Sequence, residues 1–213
     1  MRGPAAALLI AIAPAGLAAA PLACPADQIE AVEQVARHVE SIMLEAPEQP
    51  SHIVEITHLF SGDGAKYTAT SGRRLLPVDI SDTGFIYAWD SYETETWETG
   101  GYIYRSLRDE KGESHKRRRR SEKDFDPNSA IEDIPANAPG AAMRAGRRCR
   151  LSHATPSPEL AVTVCNLKIY GRNTPIEARS EQPDDVYQRM ETTSLTRRCA
   201  AKSLFEPPAR NWE

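Results

Sequence analysis

The sequence lacks the short motifs by which several large classes of enzyme bind substrates or cofactors. It contains no G-x-x-x-x-G-K-[ST] loop and no G-x-G-x-x-G turn, so no pattern indicates nucleotide binding. The G-x-S-x-G elbow of one large class of serine hydrolases is also absent. We therefore predict no bound cofactor and have no motif for a catalytic centre.

The pattern of metal-binding residues is equally poor. No C-x-x-C pair occurs, and the nearest approach to a cluster is His52, Glu55 and His58. In a strand the two histidines point to one face and Glu55 to the other, and the spacing differs from the helical H-E-x-x-H motif. We therefore predict no metal site.

Only one long apolar run is present, and it lies at the N-terminus. The basic Arg2 is followed by the apolar segment Ala5–Leu17 and then by small residues, the order of a secretory signal peptide. We take residues 1–20 as this signal, with a cut between positions 18 and 23, and predict a periplasmic or secreted protein with no transmembrane helix in the mature chain. An alternative is a lipoprotein acylated at Cys24.

Positive charge is not in excess. The chain has 26 basic and 30 acidic residues, for a formal charge of −4, which gives no general attraction to nucleic acid. Five consecutive cations nevertheless form a basic block: Lys116, Arg117, Arg118, Arg119 and Arg120. The block is either a docking site for an anionic partner or a solvated segment neutralised by nearby acids.

Cysteines are few, but their number is even. Four cysteines in an exported chain indicate two disulfides. The turn signal Thr155–Pro158 predicts a hairpin centred on Ser157, in which Cys149 lies opposite Cys165. The remaining pair is then Cys24–Cys199.

Aromatic residues make up only 7 % of the chain, and half of them fall between Phe85 and Tyr104. Gly100-Gly101 inside this stretch indicates a two-residue hairpin loop. Opposed residue numbers then sum to 201, which places Trp97 opposite Tyr104 and Glu93 opposite Arg108 as favourable cross-strand pairs.

The remaining pattern predicts an α+β fold in which an amphipathic helix packs on an antiparallel, hairpin-rich sheet. Apolar residues recur at helical spacing from Ile29 to Met43 after a capping box at Asp27 and Glu30. We expect strands at 52–60, 65–70 and 73–80, completing a helix-plus-meander region at 24–110. We also expect a charged, proline-rich mobile loop at 111–148, a disulfide hairpin and C-terminal segment at 149–206, and a tail at 207–213. A short helix is expected from Pro183 to Met190, and residues 192–204 could be helix or strand.

Acids and rings alternate in one part of the aromatic stretch. Paired carboxylates and stacking rings are the components of sugar binding and glycoside hydrolysis. The candidate acids are Asp90, Glu93, Glu95 and Glu98, and the candidate rings are Trp89, Tyr92 and Trp97. The sequence favours a non-catalytic binding or accessory module of the cell envelope, whose partner is a protein or an anionic or polysaccharide component. The alternative is an envelope hydrolase that uses these acids.

Overall fold

A computed structural model describes residues 20–41, 50–82, 84–120, 126, 129–157, 160–182 and 185–213. Residues 1–19 of the predicted signal peptide lie outside the described residues. Within the described part of the chain, no helix is long and apolar enough to cross a membrane.

The described chain forms one antiparallel sheet of eleven strands. The strands are β1 (Gln28–Ser41), β2 (Pro50–Ser61), β3 (Lys66–Ser81), β4 (Gly84–Thr99), β5 (Tyr102–Asp109), β6 (Gly112–Arg119), β7 (Ala141–Arg144), β8 (Arg147–Ser157), β9 (Leu160–Ile169), β10 (Arg172–Gln182) and β11 (Asp185–Ala201). A short 3-10 turn, Lys202–Phe205, follows β11.

The strand order is that of two meanders joined side by side. Strands β1 to β6 are neighbours in sequence order, β7 to β11 are likewise, and β1 pairs with β11 to unite them. Strands β6 and β7 are therefore the two edges of the sheet. The chain is an antiparallel β protein, so the α+β prediction is wrong.

The predicted N-terminal helix is strand β1 instead. This strand lies in the middle of the sheet and is covered on both faces at its N-terminal end, where the adjacent residues Ala31 and Val32 are both fully buried. Apolar residues on both faces of a strand can imitate the helical spacing, and packing then overrides local propensity. Glu30, read as a capping residue, pairs with Arg197 of β11 at 2.6 Å.

Two further predictions need correction. Of the helix expected from Pro183 to Met190, residues 183 and 184 lie outside the described residues, and Asp185 to Met190 belong to β11, which also shows 192–201 to be strand. The segment 111–148 contains β6, β7 and the start of β8, although we expected a loop. Both segments are strongly charged, but strand pairing compensates for their lack of apolar residues.

The aromatic hairpin is confirmed in type and register. Gly100 and Gly101 both have positive φ, and Trp97 lies opposite Tyr104 as the two-residue loop requires. The expected ion pair between Glu93 and Arg108 is formed at 3.6 Å.

The structure contains the disulfides Cys24–Cys199 and Cys149–Cys165. The predicted register of the second hairpin is wrong by two residues, because Cys165 lies opposite Leu151. The shift arises because β8 continues irregularly through its Thr-Pro dipeptide to Ser157, which pairs with Leu160. The Cα atoms of the bonded cysteines are still 5.4 Å apart.

The two faces of the sheet carry separate cores. We call the face that bears Ala31, Leu59 and Trp97 the groove face; its core is covered by the C-terminal strap, residues 202–213, through Phe205. The other face, which we call the reverse face, has its core around Val32, and the segment 129–138 covers it. The strap leaves the far end of the groove face open, and the candidate site lies there.

Candidate functional site

The hairpin of β3 and β4 extends beyond its neighbours. Each of these strands has 16 residues, but β2 pairs with β3 only as far as Arg74, and β5 pairs with β4 only as far as Glu93. Within the described chain, residues 75–81 of β3 and 84–92 of β4 pair only across this hairpin. We call this two-stranded projection, residues 75–82 and 84–92, the ribbon.

The groove face of the ribbon is apolar from Leu75 and Trp89 outward to Ile80 and Phe85. The cross-strand pairs Leu75–Trp89, Pro77–Tyr87 and Ile80–Phe85 share the groove face, since directly opposed residues project to the same side. Ile80 is 72 % exposed, Phe85 60 % and Trp89 40 %. Contiguous exposed apolar surface of this kind is typical of an interaction site.

A groove of about 720 Å³ lies at the base of the ribbon on the same side of the molecule. The groove is a depression that exists because the side chains of Ser71 and Ser91 are short. The long side chains of Arg37, Arg73 and Arg108 are among those that line it. The arginines therefore surround a depression that opens toward the apolar ribbon.

The sheet register assembles the groove from five strands. Arg37 of β1 lies opposite Glu55, Glu55 opposite Ser71, Ser71 opposite Glu93, and Glu93 opposite Arg108. This row crosses the sheet on one face with cations at both ends and carboxylates between them. The groove can thus bind groups of both charge signs.

Arg73 connects the groove with the ribbon. Its guanidinium lies over the Trp89 ring, 4.8 Å from the ring centroid, within the range of a cation–π interaction. The contact supports the indole ring while leaving it 40 % exposed. A ligand on the Trp89 ring would therefore also lie close to the charge of Arg73.

A hydrogen-bonded chain on the reverse face holds the base of the ribbon. The Glu40 carboxylate is 3.4 Å from Nδ1 of His52, and Nε2 of His52 is 2.5 Å from the Tyr92 hydroxyl. The Tyr92 ring lies directly over Gly72 on the neighbouring strand, where an added Cβ atom would come within 2.7 Å of the ring. Arg74 also stacks on the Tyr92 ring.

The protonation states here follow from burial. Burial raises the pKa of the Tyr92 phenol, so the hydroxyl stays neutral and serves as a hydrogen-bonding group. Burial, and then the neighbouring His52, lowers the pKa of His38. The hydrogen bonds from Glu40 through His52 to Tyr92 are therefore suited to holding the Tyr92 ring over Gly72. This contact secures β3 and β4 where the ribbon leaves the sheet.

The structure separates the three rings that the sequence suggested as a binding set. Trp89 lies on the exposed ribbon, whereas Trp97 is only 4 % exposed and packs against Tyr67 and Trp212. Tyr92 projects to the reverse face. Of the three, only Trp89 has its ring on the exposed face of the ribbon, although Tyr92 is among the residues that line the groove.

Two of the candidate acids lie on the reverse face, far from each other. Asp90 pairs with Arg74 at 2.8 Å near the ribbon. Glu98 lies 3.5 Å from Arg120 and 3.7 Å from Arg172 in a cluster whose side chains are at most 13 % exposed. The two acids are eight positions apart along the strand, a distance of about 27 Å in extended chain.

The other two acids share the groove face but have different partners. Glu95 accepts a hydrogen bond from the Tyr67 hydroxyl at 2.7 Å, and Glu93 faces the exposed Arg108. Burial, and then this hydrogen bond to Glu95, raises the pKa of Tyr67. The four acids are thus distributed over two faces, and each has a basic or hydroxyl partner.

The basic block lies on edge strand β6 and just after it. Lys116, Arg117, Arg118 and Arg119 are exposed, and they alternate between the two faces of the sheet. Charged residues are a common means of protecting an edge strand from unwanted pairing. Arg120 differs from the other four, since it is half-buried and lies 3.5 Å from Glu98.

Sequence reasoning missed the groove arginines. Arg37, Arg73 and Arg108 are 36 and 35 residues apart along the chain, and only the register of five strands brings them to one depression. The one local signal was the predicted position of Arg108 opposite Glu93 in the aromatic hairpin. No comparable turn signal related Arg37 to the ribbon.

Comparison with protein-family models, with curated proteins and with solved structures finds no match.

Proposed function

We propose that the chain is an exported, non-catalytic binding module of the cell envelope. Its binding site comprises the apolar face of the ribbon and the arginine-lined groove at the ribbon's base. The observation that carries this proposal is the exposure of Ile80, Phe85 and Trp89 on one face of a projection that no described strand pairs with or covers.

Export is supported by the cross-links and by the N-terminal sequence. Two disulfides fit an oxidising compartment, and residues 1–20 have the pattern of a secretory signal. The bond between Cys24 and Cys199 also favours release over lipid anchoring, because an acylated Cys24 sulfur could not form it.

Binding agrees with the geometry better than hydrolysis does. A glycosidase of the usual type needs two carboxyl groups that flank one bond, about 5–9.5 Å apart. Asp90 and Glu98 are eight positions apart along β4, and Glu93 and Glu95 are engaged by Arg108 and Tyr67. The envelope hydrolase therefore remains the less favoured alternative.

The test compares the two faces of the ribbon. Purified, disulfide-intact chain is labelled and titrated into the envelope fraction of its native cell. We expect saturable binding that weakens at least tenfold in the double variant Phe85→Ser/Trp89→Ser. The matched control Ile86→Ser/Ala88→Ser changes the opposite face of the same strand and should bind like the parent. Equal loss in both variants, or no saturable binding, would reject the proposed site.

A second candidate function is supported by edge strand β6. Its four exposed cations are suited to an anionic envelope polymer or headgroup. Replacement of residues 116–119 by Gln should then weaken envelope binding and remove most of its salt dependence. If binding is unchanged by these replacements, the basic block serves only to protect the edge.

A further inference from the structure

The outer edge of β4 beside the groove has no partner strand in the described chain. Strand β5 pairs with β4 from Thr99 to Glu93 and then turns back at Asp109 to form β6. Beyond that point, residues 85–92 pair with β3 on one side only. Their outward N–H and C=O groups are therefore available to another chain.

The groove lies where β5 would continue if it did not turn. Residues at the end of β5, including Arg108 and Asp109, line one part of the groove, and Ser91 of β4 lines another. An added strand placed in line with β5 would begin in this groove. It would then run along the free edge of β4 toward the tip of the ribbon.

From this arrangement we infer that the ligand of the proposed site is an extended polypeptide that adds a strand to β4 antiparallel to it. The inference depends on the proposed function and names its ligand class. Backbone hydrogen bonds to the free edge would supply affinity, and alternate side chains would contact the apolar face next to Phe85 and Trp89. The paired segment would be about six residues long, a usual strand length.

The charges of the groove favour a polypeptide over an anionic bilayer. Three arginines line it together with four acidic residues, Glu55, Glu93, Asp109 and Glu110, of which the Asp109 carboxylate is turned toward Arg74 at 3.8 Å. A surface of both signs complements a segment that carries both signs, whereas it gives no net attraction to anionic lipid. The acyl chains of lipid also cannot form hydrogen bonds with the unpaired backbone groups of the ribbon edge. An added strand forms these hydrogen bonds and covers the apolar face at the same time.

Synthetic peptides provide the test. A displayed library of random ten-residue peptides is selected against the full mature chain with both disulfides intact, and the selected peptides are synthesised. We expect apolar residues at every second position. Affinity should fall at least tenfold with the Phe85→Ser/Trp89→Ser variant and stay within twofold with Ile86→Ser/Ala88→Ser.

N-methylation of the peptide backbone separates strand addition from simple apolar docking. Methyl groups on one alternate set of nitrogens, the set facing β4, should weaken binding at least tenfold, while the intervening set should have little effect. If both sets bind like the parent peptide while the ribbon variant still loses affinity, strand addition is rejected and the proposed site survives. If no selected peptide loses affinity in the Phe85→Ser/Trp89→Ser variant, strand addition is rejected. The envelope titration then shows whether the proposed site fails as well.

Two other occupants give distinct results. Ribbon-dependent binding to vesicles of phosphatidylethanolamine and phosphatidylglycerol, with no ribbon-dependent peptide, would overturn the inference in favour of a bilayer. Self-association abolished by Phe85→Ser/Trp89→Ser, again without a ribbon-dependent peptide, would overturn it in favour of a second copy of the chain.

Discussion

Gly72 shows how one residue determines the base of the ribbon. A Cβ atom at this position would lie 2.7 Å from both Cζ and the hydroxyl oxygen of Tyr92. The ring can lie flat across the strand only because Gly72 has no side chain. We expect Gly72→Ala to lower the free energy of unfolding by about 1–3 kcal/mol, measured by urea denaturation, because the ring must move.

A double variant identifies the cause. In Gly72→Ala/Tyr92→Ala the offending ring is absent, so the added methyl group should cost much less than it does in the parent. Additive losses from the two substitutions would show that the contact with Tyr92 is not the reason for the glycine.

His58 makes the stability of the chain depend on pH. Burial, and then the nearby Lys66, lowers its pKa to about 3, against about 6.5 in an unfolded chain. The folded state therefore favours the neutral ring. The contribution of the neutral His58 ring to the free energy of unfolding is complete above pH 6.5 and is lost as pH falls from 6.5 toward 3.

Between pH 6.5 and 4.5 the loss due to His58 should reach about 2–3 kcal/mol. His58→Gln removes the titration and can still bond to Thr68, so its stability should fall less over this range. The exposed His153→Gln should retain the parental slope. An unchanged slope in His58→Gln, measured by urea midpoints at both pH values, would contradict the assignment.

Among the elements, the C-terminal strap stabilises the aromatic part of the groove face. The Trp212 ring makes edge contacts with Trp97, Tyr104 and His115 at centroid distances of 5.9, 5.2 and 5.5 Å. Trp212→Ala should lower the free energy of unfolding by about 2 kcal/mol, since aromatic pairs contribute beyond their buried area. The fluorescence of Trp97 should shift to longer wavelength as water reaches its ring.

Arg210→Ala is the matched control for the strap. Its guanidinium bonds to Glu113 near the same edge, but exposed ion pairs contribute little to stability. The unfolding midpoint should stay close to that of the parent. A larger loss than in Trp212→Ala would mean that charge, and not ring packing, holds the strap in place.

The elements also show which structural features the sequence can predict. The hairpin at Gly100-Gly101 follows from local chemistry, since two glycines with positive φ determine both the turn and the register. Strand β1 does not follow from local chemistry. Its adjacent buried residues Ala31 and Val32 are explained only by cover from the strap on one face and from chain segments packed on the other.

At the scale of the whole molecule, the pairing of β1 with β11 unites two meanders. The Cys24–Cys199 disulfide links the segment before β1 to β11. The cluster of Glu98, Arg120 and Arg172 links the first meander to the start of β10, and burial together with the neighbouring Arg120 lowers the pKa of Arg172. These long-range links stabilise the sheet from which the ribbon projects.

The candidate site forms only when distant strands are assembled in one sheet, which explains why the sequence did not predict it. Trp89 was identified as a candidate binding ring, but Arg37 and Arg73 join it only after strands β1 to β4 are in register. The disulfide pairing was deduced from a turn signal although the register was off by two residues. A cross-link tolerates such an error, whereas a one-residue error would place every groove residue on the other face.

A residue-by-residue crosslinking scan along β4 tests the proposed site most directly. A photoactivatable side chain is placed singly at positions 85 to 90, and the exported chain is irradiated in its native envelope. The proposed site predicts adducts at positions 85, 87 and 89 and few at 86, 88 and 90, since alternate side chains face opposite sides. Equal adducts at all six positions, or adducts mainly at the even ones, would contradict binding on the groove face of the ribbon.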